Sequence, residues 1–219
     1  MTAESFVLYV ESSWSSPWLC SVFVALREKA IPFTTAIAML RAGSGVIDGM
    51  HERTLTGTAP VLQHGAFWLA ESLAIVEYLD EVVPEPRMLP TDLRDRARAR
   101  QLMTWMRNEH EVLRRERPAE RIMYPSLGNL PPLSPAAQRA ADDLVRVAGR
   151  LGATASGAVF GNRFGVFDAE LAFALMRLVA TGFTVPDELA AYVATVWARP
   201  SMREFVEHPR PPNPPIAIT

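Results

Sequence analysis

A proline stands directly ahead of an apolar stretch, and an acid–serine pair follows that stretch where a helical pattern begins. Pro60 has no backbone N–H and cannot donate to a sheet ladder, so a strand begins at or after it. If the Ala59–Pro60 peptide bond is cis, Ala59 turns its own N–H and C=O outward, where an extended peptide can pair with it. Ser72, after Glu71, is a good N-cap, and a helix N-terminus attracts a carboxylate. The segment predicts a binding site for a small peptide-like molecule, with a plain hairpin and capped helix as the alternative.

The residues ahead of this segment predict a strand, a helix and a second strand. A β-type run at 6–10 is followed by Ser16 and Pro17, a pair that typically caps and begins a helix. Apolar side chains then recur at helical spacing, and a strand pattern runs from Phe33 to Met39. With the hairpin and helix downstream, the order of elements is typical of the thioredoxin-like layout, in which helices cover both faces of one mixed sheet.

Three short motifs carry a resemblance to a known family, namely Ser16–Pro17, Ala59–Leu62 and Glu71–Leu79. Residues 5–83 resemble the N-terminal domain of cytosolic glutathione transferases, and the remainder resembles their helical second domain. The chain is similar in particular to a bacterial subgroup related to the theta- and zeta-like enzymes, which share runs such as Asp95–Gln101 and Arg115–Pro118. The resemblance covers nearly the whole chain. It implies an α/β thioredoxin-like N-terminal domain with a mixed four-stranded sheet, followed by an all-α C-terminal domain.

Composition and helical periodicity indicate where the domains begin and end. We expect a glutathione-binding domain at 1–83, a stiff proline-rich linker at 84–91, a helical domain at 92–208 and a flexible proline-rich tail at 209–219. The pattern from Asp92 to Arg117 predicts one long helix with an apolar stripe. Further on, Asp168 supplies the acid of a helix capping box whose cap position is Gly165, and glycine caps only slightly less well than serine.

Composition and charge argue against several classes of protein. A chain of 219 residues with 49% hydrophobic residues can bury two ordinary cores. Its net charge of −2 gives no general attraction to nucleic acid or to an anionic membrane, and arginines alternate with acids, which favours a salt-bridged surface. No membrane-spanning run or secretory pattern is visible and a single cysteine cannot form an intramolecular disulfide, so the cytoplasm is the expected compartment. Scattered histidines offer no metal-ligand spacing, and no metal is expected.

The chemistry implied by the resemblance is activation of the glutathione thiol, whose pKa of about 8.5 leaves little thiolate at neutral pH. Lowering that pKa by about two units requires roughly 2.7 kcal/mol of preferential stabilisation of the anion. A hydroxyl hydrogen bond to an anion supplies roughly 1.5–3 kcal/mol, and a helix N-terminus about 0.3–1 kcal/mol more. Ser16, at the head of the first helix, can provide both.

Other residues compete with Ser16 for this role. Ser12, Ser13 and Ser15 lie in the same loop, and some classes of the family use a tyrosine, here Tyr9. Glutaredoxins place their reactive cysteine immediately before the proline that begins this helix, and Ser16 holds that register. Ser16 is therefore the predicted catalytic residue, with a pure helix cap as the alternative interpretation.

The resemblance also implies contacts for the rest of the tripeptide. Glu71 and Ser72 would bind the γ-glutamyl end, and the backbone of Ala59, held by Pro60, would bind the cysteinyl part. Relatives often carry valine in place of Ala59 and a basic residue before it, where this chain has Thr58. His51 and Arg53 are candidates to supply the missing positive charge. Candidates to contact glutathione, or to line an electrophile pocket between the domains, are Trp14, Ser15, Trp105, Met106 and Tyr124. The alternative for each residue is placement on the surface or packing in the core.

The predicted function is a glutathione S-transferase, a detoxification enzyme that uses glutathione as co-substrate and forms a homodimer. Glutathione-dependent peroxidase activity under oxidative stress is one alternative, because it uses the same thiolate. The other is a non-catalytic glutathione-transferase-like binding or partner domain, which the unusual Thr58–Ala59 pair favours. A serine hydrolase is disfavoured because no Gly-x-Ser-x-Gly elbow occurs. Cys20, one turn beyond Ser16, is interpreted as a buried core cysteine, which argues against a glutaredoxin.

Overall fold

The computed structural model describes residues 5–41, 44–124, 130–161 and 163–212. The chain divides into two compact units, Met1–Met88 together with Glu207–Thr219, and Leu89–Val206. The first unit carries a four-stranded sheet, whereas the second is built from helices throughout its described residues.

The sheet of the first unit has the strand order β2-β1-β3-β4. Its strands are β1 (Phe6–Val10), β2 (Phe33–Ile37), β3 (Val61–His64) and β4 (Phe67–Ala70). β1 runs parallel to β2 and antiparallel to β3, which pairs antiparallel with β4. The parallel pair requires a crossover, and helix α1 supplies it. The mixed four-stranded sheet and its thioredoxin-like order confirm the predicted fold.

Among its described residues, the first unit also contains the helices α1 (Pro17–Glu28), α2 (His51–Thr54) and α3 (Ser72–Val82). α1 begins as its sequence predicts, with Ser16 as the cap and Pro17 as the first helical residue. Every residue from Leu19 to Leu26 is buried, so α1 is a central element of this unit. Cys20 lies within that buried stretch, in agreement with its interpretation as a core residue.

A buried lysine ties the end of α1 to the residues after α3. The Lys29 ammonium lies 2.8 Å from the Asp80 carboxylate and donates to the carbonyls of Val83 and Pro86 at 2.6 and 2.8 Å. Asp80 also accepts the Met88 N–H at 2.8 Å. A buried charge is stable only when it is paired and hydrogen-bonded, and each of these groups is.

The second unit contains α4 (Leu93–Asn108), α5 (Glu111–Glu116), α6 (Glu120–Met123), α7 (Pro135–Arg150), α8 (Val166–Val179), α9 (Asp187–Trp197) and α10 (Pro200–Val206). The prediction of one helix from Asp92 to Arg117 is wrong, because the helix breaks at His110, whose backbone φ and ψ are −101° and 22°. The carbonyls at the end of a helix have no partners within it. Arg114 donates to those of Met106 and Arg107 at 2.8 and 2.7 Å, which stabilises the break.

Asp168 is the acid of the capping box at the start of α8, as the sequence predicts. Asp168 accepts the Gly165 N–H at 2.9 Å and, with its other oxygen, the Val159 N–H and the Tyr192 hydroxyl, each at 2.9 Å. Burial nevertheless raises the pKa of Asp168 to about 6, against the opposing effect of these hydrogen bonds. The carboxyl group joins a loop, α8 and α9 at one buried point.

Candidate active site

The loop between β1 and α1 contains the predicted catalytic serine. Ser16 is half-buried at the head of α1, and its hydroxyl oxygen accepts the Leu19 N–H at 3.3 Å. A hydroxyl has two acceptor lone pairs and one proton, so a serine that caps a helix through its oxygen keeps its proton for another acceptor. The capping role and a role as donor to a thiolate are therefore compatible at Ser16.

The competing residues are placed differently. The hydroxyls of Ser13 and Ser15 lie 2.9 Å apart, and these residues are only 4% and 3% exposed. Tyr9 donates its hydroxyl proton to the side-chain oxygen of Gln63 at 3.1 Å. Ser16 is thus more accessible to a ligand than Ser13 or Ser15, and the phenol of Tyr9 is engaged with a neighbouring strand.

A buried carboxylate that the sequence reasoning missed organises this loop. One carboxylate oxygen of Glu11 accepts the N–H groups of both Ser15 and Ser16, each at 2.9 Å. These two amides therefore face Glu11 rather than a bound sulfur, which reduces the contribution expected from backbone groups at this corner. An acid directly after a strand and ahead of a serine-rich loop was the available signal for this contact.

Trp14 adopts an unusual backbone conformation in the same loop, with φ of 47°. Its ring stacks on His208 with centroids 3.6 Å apart, and meets the edge of Phe23 at 5.6 Å. Its carbonyl accepts from the Arg210 guanidinium at 3.0 and 3.3 Å. Because Trp14 is only 3% exposed, it packs as a core side chain here, and its contact with an electrophile stays a prediction.

The flexible tail expected from residue 209 onward stays a prediction, although two residues of the C-terminal segment make defined contacts. Glu207–Thr219 belongs to the first unit, and within it His208 and Arg210 contact the loop that carries Ser16. Residues 213–219 lie outside the described part of the chain, so the expectation for them is unchanged.

The Ala59–Pro60 peptide bond is cis, and Pro60 directly precedes β3. The Ala59 N–H donates to the Gly45 carbonyl at 2.8 Å, next to an isolated antiparallel bridge between Val46 and Thr58. The expectation that both backbone groups of Ala59 turn outward is therefore wrong for the N–H, because the chain's own segment occupies that edge. No described residue donates a hydrogen bond to the Ala59 carbonyl.

Glu71 and Ser72 stand at the start of α3, but the residue at the N-cap position is Glu71 rather than Ser72. Glu71 is the N-cap, with φ of 70° and ψ of 106°, and Ser72 is the first helical residue, so the prediction of Ser72 as N-cap is wrong. A non-glycine residue in such a conformation costs about 1–3 kcal/mol, and this kind of strain concentrates at binding sites. The Glu71 side chain is exposed and Ser72 is buried, which leaves the Glu71 carboxylate accessible to a cation.

The remaining candidates lie on other elements of their own units. His51 is exposed at the start of α2, while the Arg53 guanidinium lies 4.7 Å from the centroid of the Trp68 ring. In the second unit, Trp105 is half-buried and meets the His110 ring edge-on at 4.3 Å. The other two candidates there are 5% and 7% exposed, namely Met106 and Tyr124.

His110, which no motif in the sequence singles out, is a further buried titratable group. It is 4% exposed, and neither ring nitrogen has a hydrogen-bond partner among the described residues. Burial, followed by the positive charge of Arg114, lowers the pKa of His110 to about 4. The imidazole is therefore neutral at physiological pH.

The described residues also bear on metal binding and on insertion into a membrane. Nowhere in the part of the chain that the structure describes do three or more potential metal-ligating side chains cluster. In the same residues, no helix combines the length and the apolar character needed to cross a membrane.

Comparison with known proteins agrees with the geometry of the first unit and the helices of the second. Residues 12–87 match the family model of the glutathione S-transferase N-terminal domain, and residues 92–209 match that of the C-terminal domain. A glutathione transferase homolog from Burkholderia GL BGR1, solved with bound glutathione, is 35% identical with a TM-score of 0.72, covering 93% of this chain and 96% of that one.

Curated relatives match over a shorter stretch. Glutathione S-transferase U13 of Arabidopsis thaliana is 34% identical over 101 residues, which are 45% of this chain and 44% of the relative. Maleylacetoacetate isomerase of Dictyostelium discoideum is 36% identical over 105 residues, 47% of each chain. The chain thus spans less than half the length of these curated relatives. The two domain models together cover most of its residues, however, and on that ground the chain belongs to the glutathione S-transferase family.

Proposed function

We propose that this protein is a glutathione transferase in which the Ser16 hydroxyl donates a hydrogen bond to the sulfur of bound glutathione and holds it as a thiolate. The observation that carries the proposal is the position of Ser16. Its oxygen caps α1 through the Leu19 N–H, its proton remains available, and its accessibility exceeds that of the two buried serines beside it.

The hydrogen bond from the Ser16 hydroxyl supplies most of the free energy needed to lower the pKa of the glutathione thiol. A hydrogen bond to an anion is worth about 1.5–3 kcal/mol, which corresponds to lowering the thiol pKa by roughly one to two units. The positive end of the α1 dipole adds a few tenths of a kcal/mol, since the Ser15 and Ser16 amides are engaged by Glu11. A thiol with an ordinary pKa near 8.5 would then be substantially ionised at neutral pH.

The other end of glutathione is assigned to the start of α3. The exposed Glu71 carboxylate pairs with the γ-glutamyl ammonium, and Ser72, at the positive end of the helix dipole, receives the γ-glutamyl carboxylate. Ala59, held by the cis bond to Pro60, accepts the cysteinyl N–H with its carbonyl, while its own N–H stays with Gly45. The cysteinyl part is thus held by one backbone hydrogen bond rather than two.

The thiolate then attacks an electrophilic carbon. A sulfur–carbon bond forms, the leaving group departs with the bonding electron pair, and the thiol proton passes to solvent. A peroxide would be attacked by the same anion. We further propose that the chain acts in the cytoplasm, where reduced glutathione is available, and as a homodimer, in keeping with the family.

A second candidate is a glutathione-transferase-like binding or partner domain without catalysis. The engagement of the Ala59 N–H by Gly45 favours it, because that contact removes one of the two backbone groups expected to bind an extended peptide. Under this alternative, glutathione would bind weakly and its thiol would keep its ordinary pKa.

A titration of bound glutathione distinguishes the two candidates. The ultraviolet absorbance of the thiolate is followed against pH in the wild-type protein, in Ser16→Ala and in the control Ser156→Ala, which removes an exposed hydroxyl of the second unit. We expect a midpoint near pH 6.5–7.5 for wild type and the control, and a midpoint about one to two units higher for Ser16→Ala. Equal midpoints in wild type and Ser16→Ala would disprove the role of Ser16, and no binding by calorimetry would favour the partner domain.

A further inference from the structure

A short C-terminal segment, Glu207–Pro212, contacts the loop that carries Ser16, although 196 positions separate Arg210 from Trp14. The Nε and Nη2 atoms of Arg210 donate to the Trp14 carbonyl at 3.3 and 3.0 Å, and its Nη1 atom donates to the His208 carbonyl at 2.8 Å. The His208 ring stacks on the Trp14 ring at 3.6 Å with 13° between the planes. The segment therefore grips both the backbone and the side chain of Trp14.

The same peptide unit is held from its other side. The Trp14 carbonyl and the Ser15 N–H belong to one planar peptide group and point in opposite directions. Arg210 binds the oxygen of this group, and Glu11 accepts its N–H at 2.9 Å. A guanidinium at one end and a carboxylate at the other fix the plane of the peptide through charge-assisted hydrogen bonds.

The backbone at Trp14 needs such support. Its φ of 47° lies in the left-handed region, which a bulky residue adopts only where surrounding contacts hold it. If the hydrogen bonds to the carbonyl are lost, the favoured change is rotation about the Trp14 N–Cα bond toward an ordinary negative φ, which carries the Trp14–Ser15 peptide with it. That rotation would turn the Ser15 N–H away from Glu11 and displace Ser16, two residues along the chain.

We propose that Arg210, together with His208, is a positioning residue that sets the orientation of Ser16 by clamping the Trp14–Ser15 peptide against Glu11. The proposal rests on the role of Ser16 proposed above. Arg210 acts through Trp14, because its guanidinium donates to the main-chain carbonyls of Trp14 and His208 and so ties the C-terminal segment to the loop. Lysine cannot replace it, because only a guanidinium offers two donors in a fixed fork.

The test compares Arg210→Ala and Arg210→Lys with the wild-type chain and with Arg203→Ala, which removes an exposed arginine of α10. The first measurement is amide hydrogen exchange at Ser15 and Ser16 without any ligand. We expect exchange about tenfold faster in both Arg210 variants and unchanged in the control, since each loses the clamp on the shared peptide. Exchange in the helices of the second unit reports whether the fold is intact.

The second measurement is glutathione turnover as a function of pH. We expect kcat to fall about tenfold in both Arg210 variants with the KM for glutathione changed less than about twofold, because orientation of the hydroxyl affects the anion more than the binding of the tripeptide. The pKa seen in the kcat profile should rise by about one unit. His208→Ala should give a smaller effect in the same direction.

Two results would overturn the clamp. One is unchanged exchange at Ser15 and Ser16 in Arg210→Ala. The other is wild-type behaviour of Arg210→Lys in both measurements, which would assign the effect to charge alone. If the wild-type chain does not bind glutathione, the proposed function fails, whereas the exchange measurement still decides whether the clamp exists.

Discussion

The two units of the chain use their polar side chains in different ways. In the second unit, buried polar groups join helices to one another, as Asp168 joins α8 to α9 and Glu170 joins α8 to Arg107 of α4. In the first unit, polar groups gather at the ends of strands and the starts of helices, where Ser16 and Glu71 remain partly or fully exposed. The buried polar contacts of the second unit stabilise its packing, whereas in the first unit some polar side chains remain accessible, as the proposed binding of glutathione requires.

The largest expected effect is a loss of stability in the second unit when one of its buried polar contacts is removed. The Glu170 carboxylate accepts hydrogen bonds from both terminal nitrogens of Arg107, each at 2.6 Å, and the Glu170 side chain is only 2% exposed. We expect Glu170→Ala to lower the free energy of unfolding by about 3 kcal/mol, because it takes the neutralising carboxylate away from a largely buried guanidinium. Denaturant unfolding followed by circular dichroism measures the change.

An exposed ion pair provides the matched control for Glu170→Ala. The side chains of Arg115 and Glu111 are 63% and 68% exposed, although the pair is as short as the buried one at 2.6 Å. Glu111→Ala should therefore change the free energy of unfolding by less than about 1 kcal/mol. Equal losses in the two variants would show that burial is not what makes the Arg107 pair important.

The next effect concerns pH and the buried imidazole of the second unit. The pKa of His110 is lowered to about 4 in the folded state against 6.5 in the unfolded state, so the unfolded chain binds a proton first as pH falls. His110→Leu removes this penalty. We expect it to stabilise the protein by about 2 kcal/mol more at pH 5 than at pH 8, with most of that difference appearing between pH 6.5 and pH 5.

Urea unfolding of wild type and His110→Leu at pH 5 and pH 8 measures that difference directly. Above pH 6.5 both states hold a neutral imidazole, so any change seen at pH 8 reports packing rather than titration. A difference that is the same at both pH values would contradict a lowered pKa at His110.

The smallest expected effect on stability separates the two roles of Ser16, which are capping α1 and donating a hydrogen bond to the sulfur. Ser16→Ala loses the cap of α1 and should cost about 1 kcal/mol, whereas Ser16→Gly should cost only a few tenths, because glycine is a tolerable cap. Both variants lose the hydroxyl, so both should lose the acidification of bound glutathione equally. Thermal unfolding and the thiolate titration, run side by side, separate capping from chemistry. If the pKa of bound glutathione were lowered as much in Ser16→Gly as in the wild-type protein, the hydroxyl could not be the donor.

Much of the first unit could be predicted from local sequence. The Ser16–Pro17 start of α1 and the start of β3 after Pro60 follow from side chains that act on their own backbone within a few residues. The boundary at α3 was misjudged by one residue, since the choice between Glu71 and Ser72 as cap depends on a strained φ that no local preference favours.

The long helix predicted after residue 92 failed for a similar reason. Periodicity continues through His110, but the chain bends there because Arg114 can bind the carbonyls of Met106 and Arg107 and because the imidazole is buried against Trp105. A helical pattern measures the preference of each turn and carries no information about a break stabilised by packing.

By itself, the sequence determined the order of the strands with α1 and α3, the family and the position of a serine at the head of α1, because caps, prolines and apolar periodicity act over a few residues. Only the tertiary structure decided which groups surround that serine. Glu11 beneath its amides, Gly45 on the Ala59 N–H and Arg210 on the Trp14 carbonyl are contacts between segments that fold together from different parts of the chain. Their free energy depends on the packing of the whole unit, and no local pattern records it.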